Sequence, residues 1–259
     1  RCGHIEIVGA GPGDPELVSV RGKHFLQKAD LILYAGSLVP RELTYYAKQG
    51  AELPETARLV AVSKFNPAEA VLQAYNCGQR LFGESKVQEL TGKYEVLPKD
   101  IEWHFIGHLQ TNKVKYIAPF ISLIQSGDSL KLLKEIDAQA KKVNRVIDCL
   151  LEIHVAQEET KYGFSFDELR TLFKERAFDV FENVSVVGLM GMASNTEDEV
   201  QIRDEFRLLS DFYKEMKDSL APQFRELSMG MSHDYHIAVE EGSTLVRVGS
   251  FIFGERVYA

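Results

Sequence analysis

The chain contains no apolar run near the length of a membrane span, which argues against a spanning segment. It has little cysteine. Cys2, Cys77 and Cys149 are odd in number and show no metal-ligand spacing, so a disulfide framework is not expected and a reducing cytoplasm fits. Positive charge is also in short supply. Thirty Lys and Arg face 38 Asp and Glu, a formal net charge of −8. Nucleic-acid binding needs a basic footprint that displaces counterions, so this balance argues against that class. No HxH or HExxH pattern occurs among the histidines. His233 and His236, three apart beside Asp234, read as surface loop residues rather than metal ligands. The opening Arg1-Cys2-Gly3-His4 has no signal-peptide pattern, and no short repeat or low-complexity tract follows.

What the chain does have is alternation. IEIVGA, a helix-like DPELVSVRGKHFLQKA, DLILYAGSLV and PRELTYYAKQG make a βαβα unit of the first fifty residues. ELPETA reads as a polar connection. Eight more strand candidates follow: RLVAVSK, QRLFGE, IEWHFIGH, ISLIQS, VIDCLLEIHV, VSVVGLMGM, RELSMGM and STLVRVGS. Helix-like stretches such as PAEAVLQAYNCG, SLKLLKEIDAQAKKVN, FSFDELRTLFKERA and EDEVQIRDEFRLLSDFYKEMKDSL separate them. Short apolar strands between amphipathic helices predict a parallel sheet buried on both faces. Eight such units close a (β/α)8 barrel, so the expected fold is an α/β TIM-type barrel preceded by an extra N-terminal βαβα unit. The expected boundary divides residues 1–51 from residues 52–259.

Function in such barrels collects at the C-terminal ends of the strands. LVAVSK ends in Lys64. A lysine there is either a solvated strand end or an amine able to condense with an aldehyde. STLVRVGS ends in Arg247, Gly249 and Ser250, and RELSMGMS supplies Ser228, Gly230 and Ser232. Glycine next to serine lets backbone N–H groups and a hydroxyl converge on a phosphate. His104, Gly107 and Met190 come from two further strands. An arginine inside an apolar strand is costly unless paired, so Arg247 is expected to face a ring nitrogen or an acid. An amine for an aldehyde, a phosphate cup and a polar group for a ring are together the needs of pyridoxal 5′-phosphate (PLP).

The blocks LVAVSKFNPAEAV, GQRLFGESKVQE, IEWHFIGHLQTNKVKYI, GLMGMAS, ELSMGMSHDY and GSTLVRVGSFIFGER resemble the PLP homeostasis family, PLP-binding barrels related to the N-terminal domain of alanine racemase. The resemblance spans residues from about 52 to 257. It implies PLP held as an aldimine on Lys64, Arg247 by the pyridine nitrogen, and Ser228, Gly249 and Ser250 on the phosphate. His104, Met190 and Ser85 join the expected pocket. Ser85 stands where many members carry Asn, and His233-Asp234 where many carry two acids; both bear on the pocket rim. The implied role is buffering or delivering PLP, with PLP-dependent apoenzymes as recipients. Racemisation needs acid–base groups on both faces of the substrate carbon. The chain ends soon after its eighth strand, so racemase activity is expected to be weak.

IVGAGPGDPEL, residues 7–17, opens a segment that resembles the N-terminus of a cobalamin-pathway precorrin-4 methyltransferase, through residue 51. That resemblance implies a chimera, natural or engineered. The alternative function it carries is S-adenosylmethionine-dependent methyl transfer using Gly9–Asp14. The later segments of that fold are absent, so the glycine-rich turn is expected to be structural. The N-terminal unit leaves either a monomer or a dimer formed through it.

Overall fold

The structure, a computed structural model, describes residues 20–28, 57–155 and 162–254. Eight parallel strands close a barrel in chain order. They are β1 (Arg58–Val62), β2 (Leu81–Glu84), β3 (Glu102–Phe105), β4 (Leu123–Gly127), β5 (Ile147–Ile153), β6 (Val184–Gly191), β7 (Glu226–Ser228) and β8 (Leu245–Val248). Closure is made by β1 against β8, from Arg58 opposite Leu245 to Ala61 opposite Val248. Seven strands fall within the candidates in the sequence, and β4 runs one residue past its candidate, to Gly127.

The strand pleat sorts side chains to two sides. Val60, Leu81, Leu123, Leu150, Val187 and Leu245 form an apolar cluster inside the barrel. Their neighbours Ala61, Phe82, Trp103, Ile124 and Cys149 pack with the helices in the larger core. Burial on both sides explains why these strands read as continuous apolar runs.

Helix α1 (Val20–Leu26) lies in the first helix-like stretch. The rest of the expected N-terminal βαβα unit, including Gly9–Asp14 and the 51/52 boundary, lies outside the described residues. α2 (Ala68–Asn76), α5 (Leu130–Lys142), α6 (Phe166–Lys174) and α7 (Glu199–Ser219) follow the sequence expectation. Ser129, Ser165 and Asp198 cap the last three by accepting N–H bonds from their first turns. Among the described residues four α-helices are additional: α3 (Val87–Val96), α4 (Val114–Ile117), α8 (Tyr235–Glu240) and α9 (Ser250–Phe253). α8 corrects the loop expectation for His236, because Ile237, Ala238 and Val239 are buried and anchor the segment as a helix. Among the described residues no helix is long and apolar enough to cross a membrane.

Candidate functional site

Lys64 sits half-buried in the turn just past β1, at the C-terminal mouth of the barrel. The peptide groups on both sides of it are fixed from behind. Buried Lys93 of α3 donates to the Ser63 carbonyl (2.8 Å), to Glu84 Oε1 (2.6 Å) and to Glu89 Oε1 (2.8 Å). Ser63 Oγ donates to the same Glu84 oxygen at 2.6 Å. Phe65 N–H donates to Glu89 Oε1 at 2.6 Å. Phe65 has φ of 67°, a left-handed conformation that a bulky residue adopts only where its surroundings impose it. A buried salt-bridged network therefore aims the Lys64 backbone. Glu84 lies in low dielectric with its second oxygen unpartnered, and burial raises its pKa against the pull of Lys93.

Arg247 on β8 is buried inside the barrel. Its Nη1 donates to Ser228 Oγ at 2.6 Å and its Nη2 to the Gly191 carbonyl at 3.0 Å. Burial pulls its pKa down to about 10, while Asp234 and Glu152 act in the opposite sense. The arginine is thus paired with a hydroxyl and a carbonyl, beside the field of two acids. Ser228 Oγ passes the chain on by donating to Gln125 Oε1 at 2.6 Å. Gln125 Nε2 meets His104 Nδ1 at 2.9 Å. So Ser228 and His104, both expected at the site, are committed to a polar chain across the barrel interior. Met190 is buried in the interior apolar cluster, and Gly191 beyond it supplies the carbonyl that receives Arg247.

Gly249 and Ser250 follow β8. Gly249 is the N-cap residue of the short α9, and Ser250 is exposed at its first position. A side chain at Gly249 would put its Cβ 2.9 Å from the Val62 carbonyl, two residues before Lys64. The glycine allows the two strand ends to close up. Gly249 N–H donates to Ser232 Oγ at 3.3 Å, which ties the loop after β7 to the loop after β8. Ser85, half-buried past β2, is covered by Gly107, whose Cβ would stand 2.5 Å from the Ser85 carbonyl.

The mouth holds a further acid that the sequence reading passed over. Glu152 of β5 is 9% exposed, and its pKa is pushed up to about 7. Burial is the main cause; Asp128 adds to it, and Arg247 and His108 oppose it. Glu84 and Glu152 each interrupt an apolar strand, the same signal that singled out Arg247. Lys93 carried no such mark, because it lies in a segment not read as a helix. The described residues contain no group of three side chains that could hold a metal ion.

Residues 46–257 match the family described as alanine racemase, N-terminal domain. A pyridoxal phosphate homeostasis protein of Aquifex aeolicus is 45% identical over 203 residues, covering 78% of this chain and 88% of its own length. The Homo sapiens protein of the same name is 39% identical over 226 residues, covering 82% of each chain. Among solved structures, PipY of Synechococcus elongatus with PLP bound superposes with a TM-score of 0.69 at 36% identity, covering 78% of this chain and 94% of that one.

Proposed function

Because the chain belongs to the alanine racemase N-terminal-domain family and, within it, to the pyridoxal phosphate homeostasis proteins, we propose that it binds PLP at the C-terminal mouth and holds it through Lys64 for buffering or delivery. The observation that carries this reading is the locked turn. Ser63 O and Phe65 N are both fixed, by Lys93 and Glu89, so the residue between them is pre-aimed. Capture of an aldehyde needs an amine placed within reach of the carbonyl, and a fixed backbone contributes that placement.

The remaining parts fit the group by their chemistry. (β/α)8 barrels commonly take phosphate between the loops after strands 7 and 8 and the N-terminus of a short extra helix. Here those parts are Ser232, Gly249 and Ser250, with α9 starting at Ser250. Arg247 is the buried cation for the ring side, held by Ser228 and Gly191. Met190, His104 and Ser85 shape or support the pocket. Bound there, PLP supplies an aldehyde for Lys64 to hold and a ring whose absorbance reports its state.

Two finer readings belong to the proposal. PLP-dependent apoenzymes are the recipients, and the chain acts as a carrier rather than a catalyst. Residues 3–51 are a methyltransferase-like fragment in a chimera and take no part in binding PLP; the GAGPGDP turn and a family match that begins at residue 46 support this. The test is absorbance with added PLP before and after borohydride reduction, then peptide mapping. A reduced adduct on Lys64, lost in Lys64→Ala, is the expected result. An adduct elsewhere, or none, overturns the assignment.

A further inference from the structure

A cavity of about 750 Å³ opens at the N-terminal ends of the strands, opposite Lys64. Arg58, Glu102 and Glu226 stand at the starts of β1, β3 and β7, and Lys217 reaches in from the last turn of α7. Two of its ion pairs are internal: Arg58 with Glu226 at 2.5 Å, and Arg225 with Asp148. Such pairs by themselves stabilise the barrel floor. Glu102 and Lys217 differ. Both are exposed to the cavity, and neither has an ion-pair partner among the described residues.

A third group points to a ligand. His104 lines the same cavity and is 3% exposed. Its tautomer follows from the interior chain. Ser228 Oγ accepts from Arg247 and therefore donates to Gln125 Oε1. Gln125 Nε2 must then donate to His104 Nδ1. Burial holds the imidazole neutral, with its pKa down to about 3. The ring proton is left on Nε2, which has no protein acceptor among the described residues. That N–H is reached from the cavity and can donate to an acceptor on a ligand.

We propose that this cavity is a second small-molecule site for a zwitterion that carries a carboxylate and an ammonium. Lys217 and the His104 Nε2–H serve the carboxylate, and Glu102 serves the ammonium. The volume lies within the usual range for ligand pockets. The proposal does not rest on PLP binding at the opposite mouth.

The test is calorimetric titration of the full chain with N,N-dimethylglycine, a zwitterion whose tertiary amine cannot condense with an aldehyde. Saturable binding is expected. It should weaken by about tenfold or more in Glu102→Gln and in Lys217→Met, each the loss of one charged contact. Methoxyacetate and N,N-dimethylethanolamine, with one charge each, should bind as poorly to the unmodified chain. Both substituted residues are exposed, and thermal melts will show that the variants fold. Absence of saturable binding at millimolar concentration overturns the proposal. So does binding indifferent to both substitutions.

Discussion

Glu152 and Arg247 are buried charged residues in strands built mostly of apolar side chains, and their energetics run in opposite directions. Arg247 keeps its charge, supported by Ser228 and Gly191. Glu152 is displaced from an ordinary 4.5 to about 7, so near neutrality it exchanges its proton readily. A carboxyl whose pKa rises on folding contributes stability that is full below its unfolded value and is lost as pH climbs through the folded one. The window here is about pH 4.5 to 7, and a displacement of that size corresponds to about 3 kcal/mol. Glu152→Gln keeps the shape and removes the titration. In urea unfolding of the PLP-free chain, the variant should be more stable than the unmodified protein by up to about 3 kcal/mol at pH 8, and equal to it near pH 4.5. A variant less stable at pH 8 would show instead that Arg247 needs the Glu152 charge. At this scale the sequence was legible where cost is visible in one strand. Arg247 stood out for that reason, and Lys64 for its place at a strand end. Gln125 did not, because its role comes from Ser228 and His104, more than a hundred and about twenty residues away.

At the scale of the element, α3 is the instructive case. VQELTGKYEV contains Gly92 and two valines, and the residues it buries are Leu90 and Lys93. A helix that hides a lysine looks polar on its inner face, so apolar periodicity cannot reveal it. α2, α5 and α7 were legible because their buried stripes are hydrophobic. The hidden lysine is what links α3 to β2 and to the Lys64 turn. Removing one member of a buried pair leaves the other charge unpaired and costs about 3–5 kcal/mol. Glu84 can protonate in response, since burial already raises its pKa. Lys93→Met is therefore expected to cost about 3 kcal/mol in thermal or urea unfolding. It should also slow the gain of the reducible PLP adduct, because Ser63 O loses its donor. Lys93→Met with full adduct yield at an unchanged rate would separate the network from the aim of Lys64.

At the scale of the whole molecule, the sequence announced the barrel through the number of its apolar strands. It could not announce register. The irregularities between β4 and β5, and between β5 and β6, depend on backbone pairing across the sheet. Nor did it show that the interior divides into a polar chain running from His104 to Arg247 alongside an apolar cluster. Closure itself is local to the barrel. Every strand of the cylinder lies between Arg58 and Val248, and the last pairing joins β1 directly to β8. A closed sheet has no edge that needs a further strand. The family match likewise begins at residue 46. From these two facts a chain starting at residue 46 is expected to fold and to form the same reducible PLP adduct on Lys64, at the same stoichiometry. Borohydride trapping with intact-mass measurement reads the adduct, and a melt reads stability. A drop in melting temperature with full adduct would assign the first 45 residues a covering role. Loss of the adduct in a folded, shortened chain would place part of the PLP site before residue 46, which the mouth formed by β1, β7 and β8 does not require.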